Sequence, residues 1–227
     1  MPPAGSDADA YFQPRRPYLT KLVREHFVPD RRAQVLDLGC GSGSLVYFAR
    51  QAGYSNVTGV DHSEEQVEFA RRLGVPGITQ GGILEALERA QQVSIDVLVM
   101  LDVLEHLSRT DVVRVAERVG AILRPGGRWV IHVPNGASPF FGRIRYGDLT
   151  HESAFTAGSL RQLLLSSNFR VVRCYEDAPV IHGVRSLIRN VGWRLVRAGL
   201  QAAIAIETGA PDPDGVLTQN LLAVAEV

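Results

Sequence analysis

A chain of 227 residues, 45% hydrophobic and 21% charged, has the balance of an ordinary globular protein and enough length for one domain with additions. Its 24 basic and 24 acidic residues cancel, so no overall field draws it to nucleic acid, and such binding would need a local patch. No apolar run is long enough for a bilayer span, and the stretch MPPAGSDADAYF has neither the basic start nor the apolar core of a signal peptide, so a cytoplasmic protein is expected.

Residues 1 to about 10 read as a tail. PRRPYLTKLVREHF then predicts a helix that ends before Pro29. From there the hydrophobic period switches repeatedly between that of a strand and that of a helix. AQVLDLG is a short buried strand, and SLVYFARQAG a helix stopped by Gly53. NVTGVD is the second strand, followed by the helix SEEQVEFARRLG with Ser63 as its N-cap and Gly74 as its stop. GITQG is a weak strand, ILEALERA a helix and SIDVLVML the strongest strand. RTDVVRVAERVGAIL is a helix closed by the turn RPGG, and RWVIHVPN the fifth strand. Such alternation predicts a parallel sheet with helices on both faces, because parallel strands need crossovers. After Asn135 come a long loop, the helix TAGSLRQLLLSSN and the strand FRVVRCYE. A mostly helical stretch, the break APDPDG and a last strand, LTQNLLAVAEV, complete the chain. Cys40 and Cys174 lie in apolar stretches and are expected as reduced packing residues.

In VLDLGCGSGSL, Gly39, Gly41 and Gly43 alternate through the turn after the first strand. Absent side chains there let backbone N–H groups approach a ligand or permit positive φ, and ligands of open parallel sheets sit beyond the carboxyl ends of strands. A dinucleotide fingerprint reads G-x-G-x-x-G, whereas Ser44 stands where its third glycine belongs. Asp37, just before the turn, would repel a pyrophosphate and attract an ammonium group. Asp61, ending the second strand, is placed to accept from ribose hydroxyls.

Five stretches in this order, VLDLGCGSG, VTGVDHSEEQVEFAR, IDVLVMLDVLEHL, AILRPGGRWVIHVPN and FTAGSLRQLLLSSNFRVV, resemble the class I S-adenosylmethionine-dependent methyltransferases over residues 15–175. The resemblance implies a Rossmann-like, mostly parallel seven-stranded sheet with an antiparallel C-terminal strand. It implies a tail and cap helix over residues 1–30, a cofactor domain over 31–177 with an acceptor loop at 136–155, a helical insertion over 178–215 and a final strand over 216–227. Gly39, Cys40, Gly41 and Gly43 would meet the cofactor's amino-acid portion, and Asp37 its ammonium group. Asp61 would take the ribose, with His62 beside the adenine. Gly82 stands where many relatives carry an acid for the adenine amino group, so backbone N–H groups and packing by Ile83 would serve instead. Leu101 and Asp102 would line the methionine end, and Tyr11 would act as a lid on the helix that covers the cofactor.

The sulfonium methyl needs only an in-line nucleophile, while a hydroxyl acceptor also benefits from a base. DVLEHL offers Asp102, Glu105 and His106 for this, and the loop RYGDLTHESAFT offers Tyr146, Asp148, His151 and Glu152. His151 is the first choice for general base, with Asp148 beside it, and ordering of the loop by the two is the other reading; His106 is a separate candidate for catalysis or acceptor positioning, against a structural hydrogen bond. His132 reads as a satisfied strand histidine, Asn135 as a group able to orient an acceptor oxygen, and Phe140, Phe141 and Tyr146 as a sugar-stacking or packing wall. No Cys/His grouping has metal-ligand spacing along the chain, so no metal is expected.

The segment PNGASPFFGRIRYGDLTHESAFTAGSLRQLL resembles that of saccharide-pathway methyltransferases and implies O-methylation of a sugar hydroxyl on a small-molecule or glycan acceptor. A phenolic or quinone-type acceptor shares the DVLEH and LRPGG signatures. A nucleotide-binding oxidoreductase and a non-catalytic cofactor-binding protein are the readings from other classes. In the insertion, Arg185, Arg189, Arg194 and Arg197 precede any acid until Glu207. A peripheral membrane contact and a homodimer or packing surface both fit; the spread of the arginines over half the helical circle favours the second.

Overall fold

Strands β1 (Gln34–Leu38), β2 (Asn56–Asp61), β3 (Ile78–Gln80), β4 (Ile95–Leu101), β5 (Leu123–Pro134), β6 (Val171–Glu176) and β7 (Asn220–Glu226) form one sheet in the order β3-β2-β1-β4-β5-β7-β6. The computed structural model describes residues 7–212 and 215–227. Pairing is parallel from β3 to β5, and β7 runs antiparallel between β5 and β6. The order reverses between β1 and β4, which opens a crevice at their carboxyl ends, the place where such sheets take ligands.

Alternation within the strands explains why both faces are covered. Val97 and Val99 of β4 belong to one core, with Val35, Val46 and Val130. Leu98 and Met100 point the other way, into a second core with Leu36, Ile131 and Val115. Residues at i and i+2 share a face of a strand, so a strand buried on both sides reads as a continuous apolar run. Helices α2 (Arg16–His26), α3 (Ser44–Gln51) and α4 (Glu64–Arg72) supply Leu19, Leu22, Val46 and Val67 to the first core. Helices α5 (Ile83–Arg89), α6 (Arg109–Ile122) and α8 (Ala157–Ser166) supply Leu87, Val115, Val119 and Leu160 to the second. Ser63 caps α4 by accepting the Gln66 N–H at 3.3 Å, as its position in the sequence predicts.

Three local expectations need correction. The expected tail falls partly on residues 1–6, outside the described residues, but α1 (Asp7–Phe12) is a helix, not a tail. It is held because Ala8 and Phe12 are buried and Asp9 accepts from the Tyr47 hydroxyl at 3.0 Å and pairs with Arg16. The Arg-Pro-Gly-Gly turn does not merely close α6: Leu123 pairs with Ile95 and Arg128 with Val97, so residues 124–127 loop out inside β5. Asn135 is not an acceptor group, because its buried amide donates to the carbonyls of Val216 (2.6 Å) and Thr218 (2.8 Å) while its oxygen accepts from Ala137. It pins the end of β5 to the segment entering β7.

The loop after β5 contains the short helix α7 (Phe141–Arg145), and the insertion is one helix, α9 (Val184–Thr208). Asn135→Ala should lower stability by roughly 2–4 kcal/mol, since it strips partners from two buried carbonyls. A thermal-denaturation midpoint equal to that of the wild type would contradict the pinning role.

Candidate active site

Two adjoining cavities, of about 370 and 680 Å³, open beyond the ends of β1, β2 and β4, and Gly39 and Asp102 line both. The turn beside them cannot carry a side chain at Gly39 or Gly43. A Cβ on Gly39 would lie 2.4 Å from Val103 Cγ2, one on Gly43 would lie 2.1 Å from Ile78 Cδ1, and both residues have positive φ. Four N–H groups of the turn, however, are already engaged. Gly39 and Cys40 donate to Val60 O, Gly43 donates to Cys40 O, and Gly41 donates to Asp61 Oδ2 at 2.7 Å. The expectation that these N–H groups meet the ligand is therefore corrected: the turn offers close approach and the carboxylates beneath it.

Asp37 is one of those carboxylates. It is 3% exposed and lines the smaller cavity. Burial, reinforced by the charge of Asp61, pushes its carboxyl up to about 8. Arg15, Tyr18 and Leu19 close the same cavity from the N-terminal helices, and Arg15 donates to Ser44 Oγ at 3.2 Å. The Tyr18 hydroxyl is buried without a partner. Tyr11, expected as the lid, stacks edge-on against Phe69 at 5.0 Å and is absent from both cavity walls. Its neighbours Arg15 and Tyr18 occupy the covering position instead. Leu101 and Cys40 line this cavity. Burial first, then Asp37 and Asp61, pushes the Cys40 thiol far above its ordinary value, so it serves as a wall.

Asp61, His62, Gly82 and Ile83 line the larger cavity with Leu84, Val103, His106, Leu107 and Thr150. Each Asp61 oxygen accepts one backbone N–H, Oδ2 from Gly41 and Oδ1 from Ser63 at 2.9 Å, which fixes the carboxylate with lone pairs to spare.

His132 is the group sequence reasoning undervalued. Its Nδ1 lies 2.6 Å from Asp102 Oδ1 and its Nε2 3.2 Å from Asp177 Oδ2. Burial opposes the charged ring, but the hydrogen bonds to Asp102 and Asp177 outweigh it and push the imidazole up to about 10. Asp102 in turn is held below its ordinary value by His132, against the cost of desolvation. Asp102 has φ +57, a left-handed conformation costing about 1 kcal/mol. Its N–H donates to His132 O at 2.9 Å, so His132 grips Asp102 at both ends.

At the other end, Thr150 makes one N–H bond (2.8 Å) and one hydroxyl bond (2.7 Å) to Asp148 Oδ1, while its Oγ1 lies 2.8 Å from His106 Nδ1. These bonds hold the exposed Asp148 below its ordinary value. A hydroxyl has one proton, so His106 Nδ1 must donate, which leaves Nε2 with the ring's lone pair. His151 is absent from both cavity walls and packs edge-on against His106, ring centroids 4.7 Å apart. Phe140 and Tyr146 are exposed and line neither cavity.

Glu105, His106 and His151 bring ligand atoms within 4.8 Å of one another and are the group that could hold a cation among the described residues. Spacing along the chain hid this cluster, because Glu105 and His151 are far apart in sequence. Glu105 Oε2 and His151 Nδ1 are buried without partners. Burial pushes Glu105 up to about 8, so its carboxyl is neutral rather than charged at neutral pH.

A sequence profile described as a methyltransferase domain matches residues 11–173. The chain belongs to the class I S-adenosylmethionine-dependent methyltransferase family. A probable S-adenosylmethionine-dependent methyltransferase of Mycolicibacterium smegmatis is 30% identical over 75% of this chain and 65% of its own length. A ubiquinone biosynthesis O-methyltransferase of Albidiferax ferrireducens is 32% identical over 50% of this chain and 46% of its own. The chain thus spans about half to two-thirds of the length of these curated relatives. A methyltransferase structure from Archaeoglobus fulgidus shares the fold at TM-score 0.69 and 18% identity, covering 96% of this chain and 97% of that one. One from Mesorhizobium loti does so at TM-score 0.61 and 23% identity, covering 93% and 96%.

The chain has residues that fit the family's cofactor. The smaller cavity offers Asp37, Asp102 and Asp177 to a cationic amino-acid end and Arg15 to its carboxylate, with the unpartnered Tyr18 hydroxyl nearby. Asp61 and the apolar wall of Ile83, Leu84 and Leu107 suit a nucleoside. Because Asp37 is protonated at neutral pH but should ionise against an ammonium group, binding of S-adenosylhomocysteine should release protons. Affinity should rise by up to about tenfold per pH unit until the pH passes 8, and Asp37→Asn should abolish the slope. Calorimetry in buffers of different ionisation enthalpy reads both; flat affinity without proton release would contradict the assignment.

Proposed function

We propose that this chain transfers the methyl group of S-adenosylmethionine to a hydroxyl of a small acceptor, with His106 as general base. The observation that carries this reading is the chain His106 Nδ1–Thr150 Oγ1–Asp148 Oδ1 on the cavity wall, with its lone pair left at Nε2. His106 takes the place first expected of His151, which stands behind it and packs its ring. The bound cofactor supplies an electrophilic methyl on a good leaving group. The protein's part is to align the acceptor oxygen, exclude water and receive the proton. Asp148, kept ionised by its bonds to Thr150, stabilises the imidazolium that forms on His106.

For the acceptor, the resemblance of the loop after β5 supports a saccharide hydroxyl. A phenolic hydroxyl is the second reading, favoured by relatives named as ubiquinone biosynthesis O-methyltransferases and by the apolar residues Val103 and Leu107 beside His106. Both readings use the same base.

His106→Ala should lower turnover by about 10²–10⁴-fold while leaving cofactor affinity within a few fold. Thr150→Val should lower turnover less, because the ring keeps its place on the wall but loses its tautomer lock. A labelled-methyl assay across sugar nucleotides, glycan extracts and phenols supplies the substrate. Wild-type turnover in His106→Ala would remove it as base, and product from an amine alone would overturn the hydroxyl reading.

A further inference from the structure

Helix α9 faces the rest of the chain with a polar stripe. Ser186 is buried, Asn190 donates to Pro179 O at 3.0 Å, and Trp193 Nε1 and Arg197 Nε each donate to Glu176 at 2.9 Å. Gln201 Nε2 donates to Asp212 O at 2.9 Å. These positions recur every three or four residues and so share one side of the helix. The opposite side carries Val184, Ile188, Val191, Leu195 and Ile206, with Val184 74%, Leu195 71% and Ile206 86% exposed. At about 100° per residue this stripe is narrow. Arg185 lies about 90° to one side of it and Arg194 about 90° to the other, with Arg189 further round from Arg185. Arg197, the fourth arginine, is turned inward onto Glu176. The arginines that looked scattered over the helical circle therefore resolve into one inward anchor and two flanks of an exposed apolar ridge.

We propose that this ridge docks on the surface of an anionic phospholipid bilayer. Charge complementarity selects that occupant. Glu207, in the last turn, is the only carboxylate on α9, so a two-fold pairing of ridges would bring arginines near arginines with little acid to meet them. A bilayer with anionic headgroups instead takes both parts at once: the apolar side chains enter the acyl boundary and the flanking guanidinium groups reach the phosphates. No helix among the described residues is long and apolar enough to cross a membrane, so α9 would lie on the surface. Its position also matters. Glu176, which anchors α9, ends β6, and the next residue, Asp177, lines the smaller cavity beside His132. Docking would set the ligand-binding edge of the sheet close to the lipid. The inference does not depend on which acceptor is methylated.

The test is co-sedimentation of the full chain with vesicles of phosphatidylglycerol and phosphatidylcholine, against vesicles of phosphatidylcholine alone. The chain should sediment with the anionic vesicles and be released by salt. Ile188→Gln with Leu195→Gln, and separately Arg185→Glu with Arg194→Glu, should each weaken binding roughly tenfold or more. Both pairs should keep wild-type affinity for S-adenosylhomocysteine by calorimetry, which separates loss of docking from loss of fold or of the cofactor site. Failure of the wild type to sediment with anionic vesicles, or undiminished binding by both pairs, would overturn the proposal. So would a dimer in analytical ultracentrifugation that Ile188→Gln with Leu195→Gln dissociates.

Discussion

The structure depends on a buried carboxylate, Asp37, held under a turn that has no room for a side chain at Gly39 or Gly43. The turn is fixed from below: Val60 O accepts the N–H groups of Gly39 and Cys40, and Asp61 ties Gly41 to Ser63. With those donors consumed, the crevice meets its ligand with carboxylates and one guanidinium, Arg15. That is the reverse of a phosphate-binding turn, where free N–H groups face an anion. The placement of Asp37 suits a cationic amino acid, against which it would ionise, and that of Asp61 suits the nucleoside joined to it.

The second constraint is the grip of His132 on Asp102. A charged imidazole between Asp102 and Asp177 joins β4, β5 and the segment after β6 at the rim of the cavity. It keeps Asp102 in a left-handed conformation that an isolated aspartate would leave. Because burial alone would discharge His132, the two carboxylates are what keep it ionised, and the loss of either would free the other end of the rim. The rim and α9 share an origin in neighbouring residues: Glu176 anchors the helix and Asp177 anchors the histidine.

Sequence made the local parts legible. Apolar runs at strand length, Ser63 before a helix with acids in its first turn, and the alternating glycines all act through neighbours a few residues away, so their spacing carries the information. Asp37 and Asp61 were readable because both lie at the carboxyl ends of strands, β1 and β2, on either side of the glycine turn in sequence. What sequence hid depends on strand order. His132 meets Asp102 and Asp177 only because β4, β5, β7 and β6 are neighbours, and nothing within the fifth strand marks it as charged. His151 outranked His106 on loop composition, yet the bond from Thr150 to His106 and the packing of His151 behind it arise from how the loop folds over the end of β4. Asn135 looked like an acceptor group from its place after a strand, but β7 returns beside it and takes its amide. The arginines of α9 looked scattered until Glu176 claimed Arg197 for the inner face.

The most direct test of the central claim is a crystal structure of the chain with S-adenosylhomocysteine bound. The ribose should lie on Asp61, the amino group within hydrogen-bond reach of Asp37 or one water away, and the carboxylate toward Arg15. A ligand bound with its carboxylate against Asp37, or lying outside the crevice lined by Gly39 and Asp102, would contradict the account.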